Sequence, residues 1–168
     1  MIVDAALPLL LEYGETFKTH DVAVAAGIAE GTIFRVFASK EDLIRAAIDR
    51  ALDPEPTERA LAAIDVRAGL EATVLATVDL LQHRVAAVWQ LLSGVGPRFH
   101  SHERRPSFDS PALAALLAAF GDELEVEPAE AARLLRSLTF AASHPLLTRQ
   151  PLPPEKVARY FLHGAGRS

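Results

Sequence analysis

No cysteine occurs anywhere in the chain, which excludes a disulfide scaffold, a Cys-based zinc site and a thiol nucleophile. Apolar runs are short. None approaches the roughly 18 uninterrupted residues that a membrane-spanning helix needs, and the opening Met1-Ile2-Val3-Asp4 lacks the basic stretch of a secretory signal. Strand signals are scarce too, because Val, Ile and Thr are scattered among Ala and Leu instead of alternating with polar residues. There is no Gly-rich phosphate loop, nucleophile elbow or His-Glu-x-x-His motif, so an enzyme has no support. What remains is a 168-residue chain, 50% hydrophobic and 23% charged, with a net charge of −5. That suffices for a packed core in one compact unit, or in a small module fused to a modest second one. The expectation is a soluble, cytoplasmic protein that spans no membrane and holds no metal or cofactor. Its acidity argues weakly against nucleic acid as a partner.

Helix-period segments separated by Gly and Pro account for almost all of the sequence. Four are predicted in the first 53 residues. The first runs from Ile2 to Tyr13, ends at Gly14 and carries Pro8, where a kink is expected. The second, Thr19 to Ala26, is closed by Gly27, and the third spans Glu30 to Phe37. Ser39 is the predicted N-cap of the fourth, with Asp42 completing an approximate capping box, and that helix reaches about Leu52. Asp53-Pro54-Glu55-Pro56 is a stiff break and a domain boundary, dividing the chain into 1–53 and 54–168. Beyond it, helices are predicted over Thr57–Ile64, Arg67–Ser93, Ala112–Phe120, Ala129–Ser143 and Pro154–His163, with a long loop at 94–111. The fold class is all-α.

The informative stretch is Thr19 to Phe37. Two short helices joined by a three-residue turn with one glycine form a helix-turn-helix (about 18–37), whose second helix enters a DNA major groove. Val22 and Ala26 suit the partner helix, Gly27 supplies a positive φ, and Ile28 plugs the turn into the core. Gly31 and Thr32 open the second helix, where a bulkier side chain than theirs holds the backbone away from DNA.

These residues resemble the tetracycline-repressor (TetR) family of bacterial transcriptional regulators. The likeness covers about residues 1–50. It is carried by Asp21-Val22-Ala23, Ala26-Gly27-Ile28-Ala29, Gly31-Thr32-Ile33-Phe34, Phe37, Lys40-Glu41 and Leu43, in the family's order and spacing. The resemblance implies a homodimer whose N-terminal modules bind a palindromic double-stranded DNA operator. It implies C-terminal helical bodies that dimerise and bind a small apolar or amphipathic effector. Thr19 is then the phosphate-facing residue opening the second helix, Gly31 and Thr32 the close-approach pair, and Lys40 the phosphate clamp. Arg35 projects toward base edges or phosphate, and arginine is the commonest reader of guanine. The chain departs from the family in placing Phe34 and Val36 where tyrosines are usual, and Lys18 where a capping Ser or Thr is usual; Phe34 is still expected among the residues that touch DNA. Lys18 is expected to reach a phosphate, leaving the cap to Thr19. Glu30 either accepts from cytosine N4 or stabilises the helix N-terminus, and the second is favoured. Residues 1–52 hold five Lys/Arg against eight Asp/Glu, a net charge of −3. The family's basic arm ahead of the first helix is missing, so the expectation is an upstream start carrying such an arm, or DNA binding with poor electrostatics.

In the body, Trp89, Phe99, His100, Phe120, Phe140 and His144 are candidates for lining an effector cavity, with ordinary core packing as the competing reading. His100-Ser101-His102-Glu103 lacks further ligands at a recognisable metal spacing. Leu134, Leu135 and Leu138 on the penultimate helix, with Val157, Tyr160 and Phe161 on the last, make two apolar faces. In the resembled family such a helix pair forms a four-helix dimer bundle. The expected function is a ligand-responsive repressor; the alternative is a ligand-binding dimer of the same fold that has lost DNA binding.

Overall fold

The computed structural model describes residues 1–99 and 108–164. Within these residues the secondary structure is helical, with nine α-helices and four short 3-10 turns. The chain divides into two units, each built around its own hydrophobic core.

The first unit comprises Met1–Asp53 and, of the described residues beyond, 88–99. Its helices are α1 (Ile2–Tyr13), α2 (Thr19–Ala26), α3 (Glu30–Val36) and α4 (Lys40–Leu52). α1 packs on α2 and α4, and α2 on α3. Leu10, Ile33 and Leu43 are fully buried at the centre, joined by Phe17, Val22, Ala47 and Ile48. The predicted cap holds: the Ser39 hydroxyl accepts from the Asp42 amide at 3.1 Å, satisfying one of the four N–H groups that the first turn of α4 leaves without an intrahelical partner. Met1 serves as N-cap of α1, its carbonyl accepting from the Ala5 N–H at 3.0 Å, and the helix continues through Pro8. Residues 88–99, which the sequence placed with the C-terminal body, pack here instead: Leu91, Val95 and Phe99 are buried in this core.

The second unit comprises Pro54–Ala87 and 108–164 of the described residues. It holds α5 (Glu55–Ala62), α7 (Pro111–Ala118), α8 (Pro128–Ser143) and α9 (Pro154–His163), with α6 (Leu70–Ser93) contributing as far as Ala87. α6 starts at Leu70 rather than Arg67, because Gly69 at φ 90° leaves helical space after a turn over Val66–Ala68. α5 begins at Glu55, two residues ahead of the predicted Thr57, with Pro54 as its N-cap and Thr57 buried within it. α7 packs on α5 and α8, and α8 on α9, around Leu61, Val74, Leu113, Leu117, Leu135 and Val157. Half-buried Glu58 pins these helices together. It accepts from the Ser110 hydroxyl (2.6 Å) and the Ala112 amide (3.0 Å), and pairs with Arg136 at 3.5 Å. Among the described residues no helix is long and apolar enough to cross a membrane.

Candidate nucleic-acid interface

The turn between α2 and α3 depends on Gly27, whose φ of 67° and ψ of 34° lie in the left-handed region that costs glycine nothing. The Gly27 and Ile28 amides donate back to the Val24 and Ala23 carbonyls at 3.1 and 3.0 Å, closing α2 on itself. Ile33 then anchors α3 in the core. At 3.6 residues per turn, Gly31 and Arg35 lie opposite Ile33, with Phe34 on one flank and Thr32 and Val36 on the other. Gly31, Phe34, Arg35 and Val36 are exposed, and Phe34 and Val36 keep 50% and 61% of their surface in solvent. α3 therefore has one inward residue and a broad outward face.

The polar residues at the heads of α2 and α3 are bound to each other. The Thr19 hydroxyl donates to Glu30 Oε1 at 2.6 Å, and His20 Nδ1 lies 3.9 Å from Glu30 Oε2. A hydroxyl has one proton, so Thr19 has none for a phosphate oxygen while Glu30 holds it. Nor does Thr19 cap α2: Lys18 is the N-cap residue, and no side chain caps this helix. Glu30 occupies the first turn of α3, where a carboxylate is favoured by the helix dipole.

The cations are unequally placed. Arg50 pairs with Asp4 at 3.5 Å and Asp53 at 3.3 Å, and Arg45 with Asp42 at 3.2 Å. Lys40 Nζ donates to the Glu15 carbonyl at 2.6 Å and sits 4.6 Å from the centre of the Phe17 ring. Its ammonium keeps two further protons. Lys18 and Arg35 are exposed, and their charged groups have no ion-pair or hydrogen-bond partner among the described residues.

Glu15 is a structural anchor that the sequence did not mark. Its carboxylate accepts from the Gly96 amide and pairs with Arg98, while its carbonyl receives Lys40. The neighbouring Gly14, at φ 56°, abuts the Gly94 backbone, and a Cβ there would lie 2.4 Å from the Gly94 carbonyl oxygen. One residue thus holds both the head of α4 and the 94–98 segment.

The effector candidates are divided between the units. Phe99 is buried in the first unit's core, and Trp89 is half-buried in that unit. In the second, Phe140 lies between Phe108 (ring centres 5.6 Å apart) and His144 (4.6 Å), and Phe120 is buried. His100, with the His100–Glu103 run, lies outside the described residues. Two open clefts in the second unit are lined by other residues: Glu71, Lys156, Arg159 and His163 around one, Ala72, Leu75, Ala76 and Asp79 around the other. The dimer candidates need a correction. Leu135 and Val157 are fully buried in their own unit's core and offer a second chain nothing. Leu134 is 51% exposed, and Leu138, Tyr160 and Phe161 are half-buried.

Two short helices on a tight turn, the second held by one buried residue and open opposite it, define a helix-turn-helix protein. Residues 2–47 match the model for bacterial regulatory proteins of the tetR family. The chain is similar to the tetR family over this segment, and over its whole length it shares the fold of solved structures. Solved structures similar to it include a transcriptional regulator of the TetR/AcrR family from Thermobifida fusca, at TM-score 0.58 and 22% identity over 99% of this chain and 97% of that one. Another is the regulator FadR from Bacillus subtilis in complex with stearoyl-CoA, at TM-score 0.50 and 16% identity over 98% of each chain. At these identities the likeness is one of fold. No curated protein matches the sequence.

Proposed function

We propose that the protein is a cytoplasmic, sequence-specific transcriptional repressor that binds a palindromic operator as a homodimer. A small apolar or amphipathic effector in the second unit would release it from DNA. Residues 1–53 carry DNA binding, and the chain beyond them carries dimerisation and effector binding. The observation that supports this reading is the outward face of α3, where Gly31 leaves the backbone open and the Arg35 guanidinium has no partner among the described residues. Helix-turn-helix docking sets the N-terminal end of the second helix, where Gly31 lies, against base edges, and Arg35 extends the same face by one turn. Lys18 supplies a phosphate contact at the head of α2, and Lys40 a second from its remaining donors. A two-fold operator requires a two-fold protein with recognition helices about 34–36 Å apart. Leu134 and Leu138 on α8, with Tyr160 and Phe161 on α9, provide the apolar surface for that pairing. Phe120, Phe140 and His144 provide aromatic surface for an effector.

One observation favours a second reading, a dimer of this fold that binds ligand and no DNA. Residues 1–52 carry a net charge of −3, and three of their five cations are already engaged. A gel shift with the DNA flanking the protein's own gene, at low and physiological salt, separates the two. The repressor gives a specific shift that weakens as salt rises; the second reading gives none at either salt.

A further inference from the structure

We propose that Phe34 is a specificity-determining residue that packs against the C5-methyl group of a thymine beside the base pair read by Arg35. The inference rests on the DNA-binding reading above and names what kind of half-site α3 takes. α3 has the sequence Glu-Gly-Thr-Ile-Phe-Arg-Val, with a single cation and no Asn, Gln or Lys. Adenine is read through bidentate Asn or Gln, and that option is missing. Cytosine N4 needs a carboxylate acceptor, and Glu30 has one oxygen on the Thr19 hydroxyl and the other toward His20. Arg35, opposite the buried Ile33, is left for guanine.

Phe34 adjoins Arg35 on the outward face, is half exposed, and has no ring, cation–π or hydrogen-bonding partner among the described residues. A phenyl ring has no donor or acceptor for phosphate or for a base edge. Long side chains on a helix lie back over the preceding turn, which for Phe34 carries Gly31. Nothing stands within 4 Å of the position a Gly31 Cβ would take. The ring thus borders an open strip of backbone at the end of α3 that enters the groove. The apolar feature of the major-groove floor is the thymine methyl, and Phe is among the side chains that contact it. The half-site class is therefore a guanine with a thymine close beside it.

The test starts from full-length protein and a pool of randomised duplexes. The bound sequences are sequenced, and each conserved thymine is then replaced by deoxyuridine, which deletes only the methyl. Wild type should lose about fourfold in affinity per half-site at one thymine, the figure for one methyl withdrawn from an apolar contact. Phe34→Ala, checked for retained helicity and melting, should bind the thymine duplex more weakly and be indifferent to deoxyuridine. Enrichment without any thymine-to-uridine effect on wild type overturns the inference alone, as does a Phe34→Ala protein that keeps the full effect. A pool with no enrichment overturns the DNA-binding reading, and the inference with it.

Discussion

Lys40 Nζ donates to the main-chain carbonyl of Glu15 at 2.6 Å and lies over the Phe17 ring, so the residue that the family resemblance assigns to phosphate is also a clasp inside its own module. Both roles fit an ammonium with three protons. Lys40→Met keeps the stem and removes the charge, and it should cost about 1–2 kcal/mol of stability through the lost charge-assisted hydrogen bond and cation–π contact. It should also weaken binding to all duplexes alike and lower the salt slope by about one phosphate's worth. Urea melts and salt-dependent anisotropy check both parts.

Gly14 and Gly27 both have positive φ, yet they should respond differently to alanine. At Gly14, φ 56° and ψ −143° combine with a carbonyl 2.4 Å from the new Cβ. Strain and crowding together should cost about 2–4 kcal/mol. At Gly27, φ 67° and ψ 34° with nothing within 4 Å leave only the left-handed penalty, about 1–2 kcal/mol. Denaturant midpoints of the two variants decide this, and equal losses would contradict the close approach to Gly94.

Much of the first unit was legible in the sequence because its determinants are local. Gly27 ends α2, and Ser39 with Asp42 caps α4, each within three residues of the groups they satisfy. Glu15 was illegible for the opposite reason, since its partners Gly96 and Arg98 are 81 and 83 residues away. The Thr19–Glu30 bond spans 11 residues and joins two helices, so a helix-by-helix reading assigned each end its own job. Leu135 and Val157 illustrate a further limit. An amphipathic stripe marks residues that leave water, without saying whether their own core or a second chain covers them.

Thr73 and Thr77, one turn apart on α6, are completely buried, and neither hydroxyl has a hydrogen-bond partner among the described residues. Thr139 and Ser143 on α8, at the same spacing, donate back to the Leu135 and Thr139 carbonyls. A buried hydroxyl without a partner carries its desolvation cost uncompensated. Thr73→Val and Thr77→Val should therefore leave stability unchanged or raise it by about 1 kcal/mol each, whereas Thr139→Val should lower it by about as much. Calorimetric melting of the three variants tests the contrast.

Burial holds the His144 imidazole below its usual pKa, while the Leu146 amide donates to Nδ1 at 3.3 Å. The unfolded chain therefore takes up this proton at higher pH than the folded one. The stability contributed by neutral His144 is complete above the unfolded pKa and is lost as pH falls through the folded value. Wild type should lose more melting temperature than His144→Leu as the pH is lowered from neutral to mildly acidic. Identical pH profiles for the two proteins would contradict the burial of this ring.

Whether the outward face of α3 reads DNA sequence is tested most directly by the affinity of wild type and Arg35→Ala for a selected duplex and a scrambled one. At physiological salt, wild type should prefer the selected duplex by about a thousandfold or more. Arg35→Ala should lose about 1–3 kcal/mol on the selected duplex and far less on the scrambled one, narrowing the ratio. Equal affinities of both proteins for both duplexes would contradict sequence reading by this face.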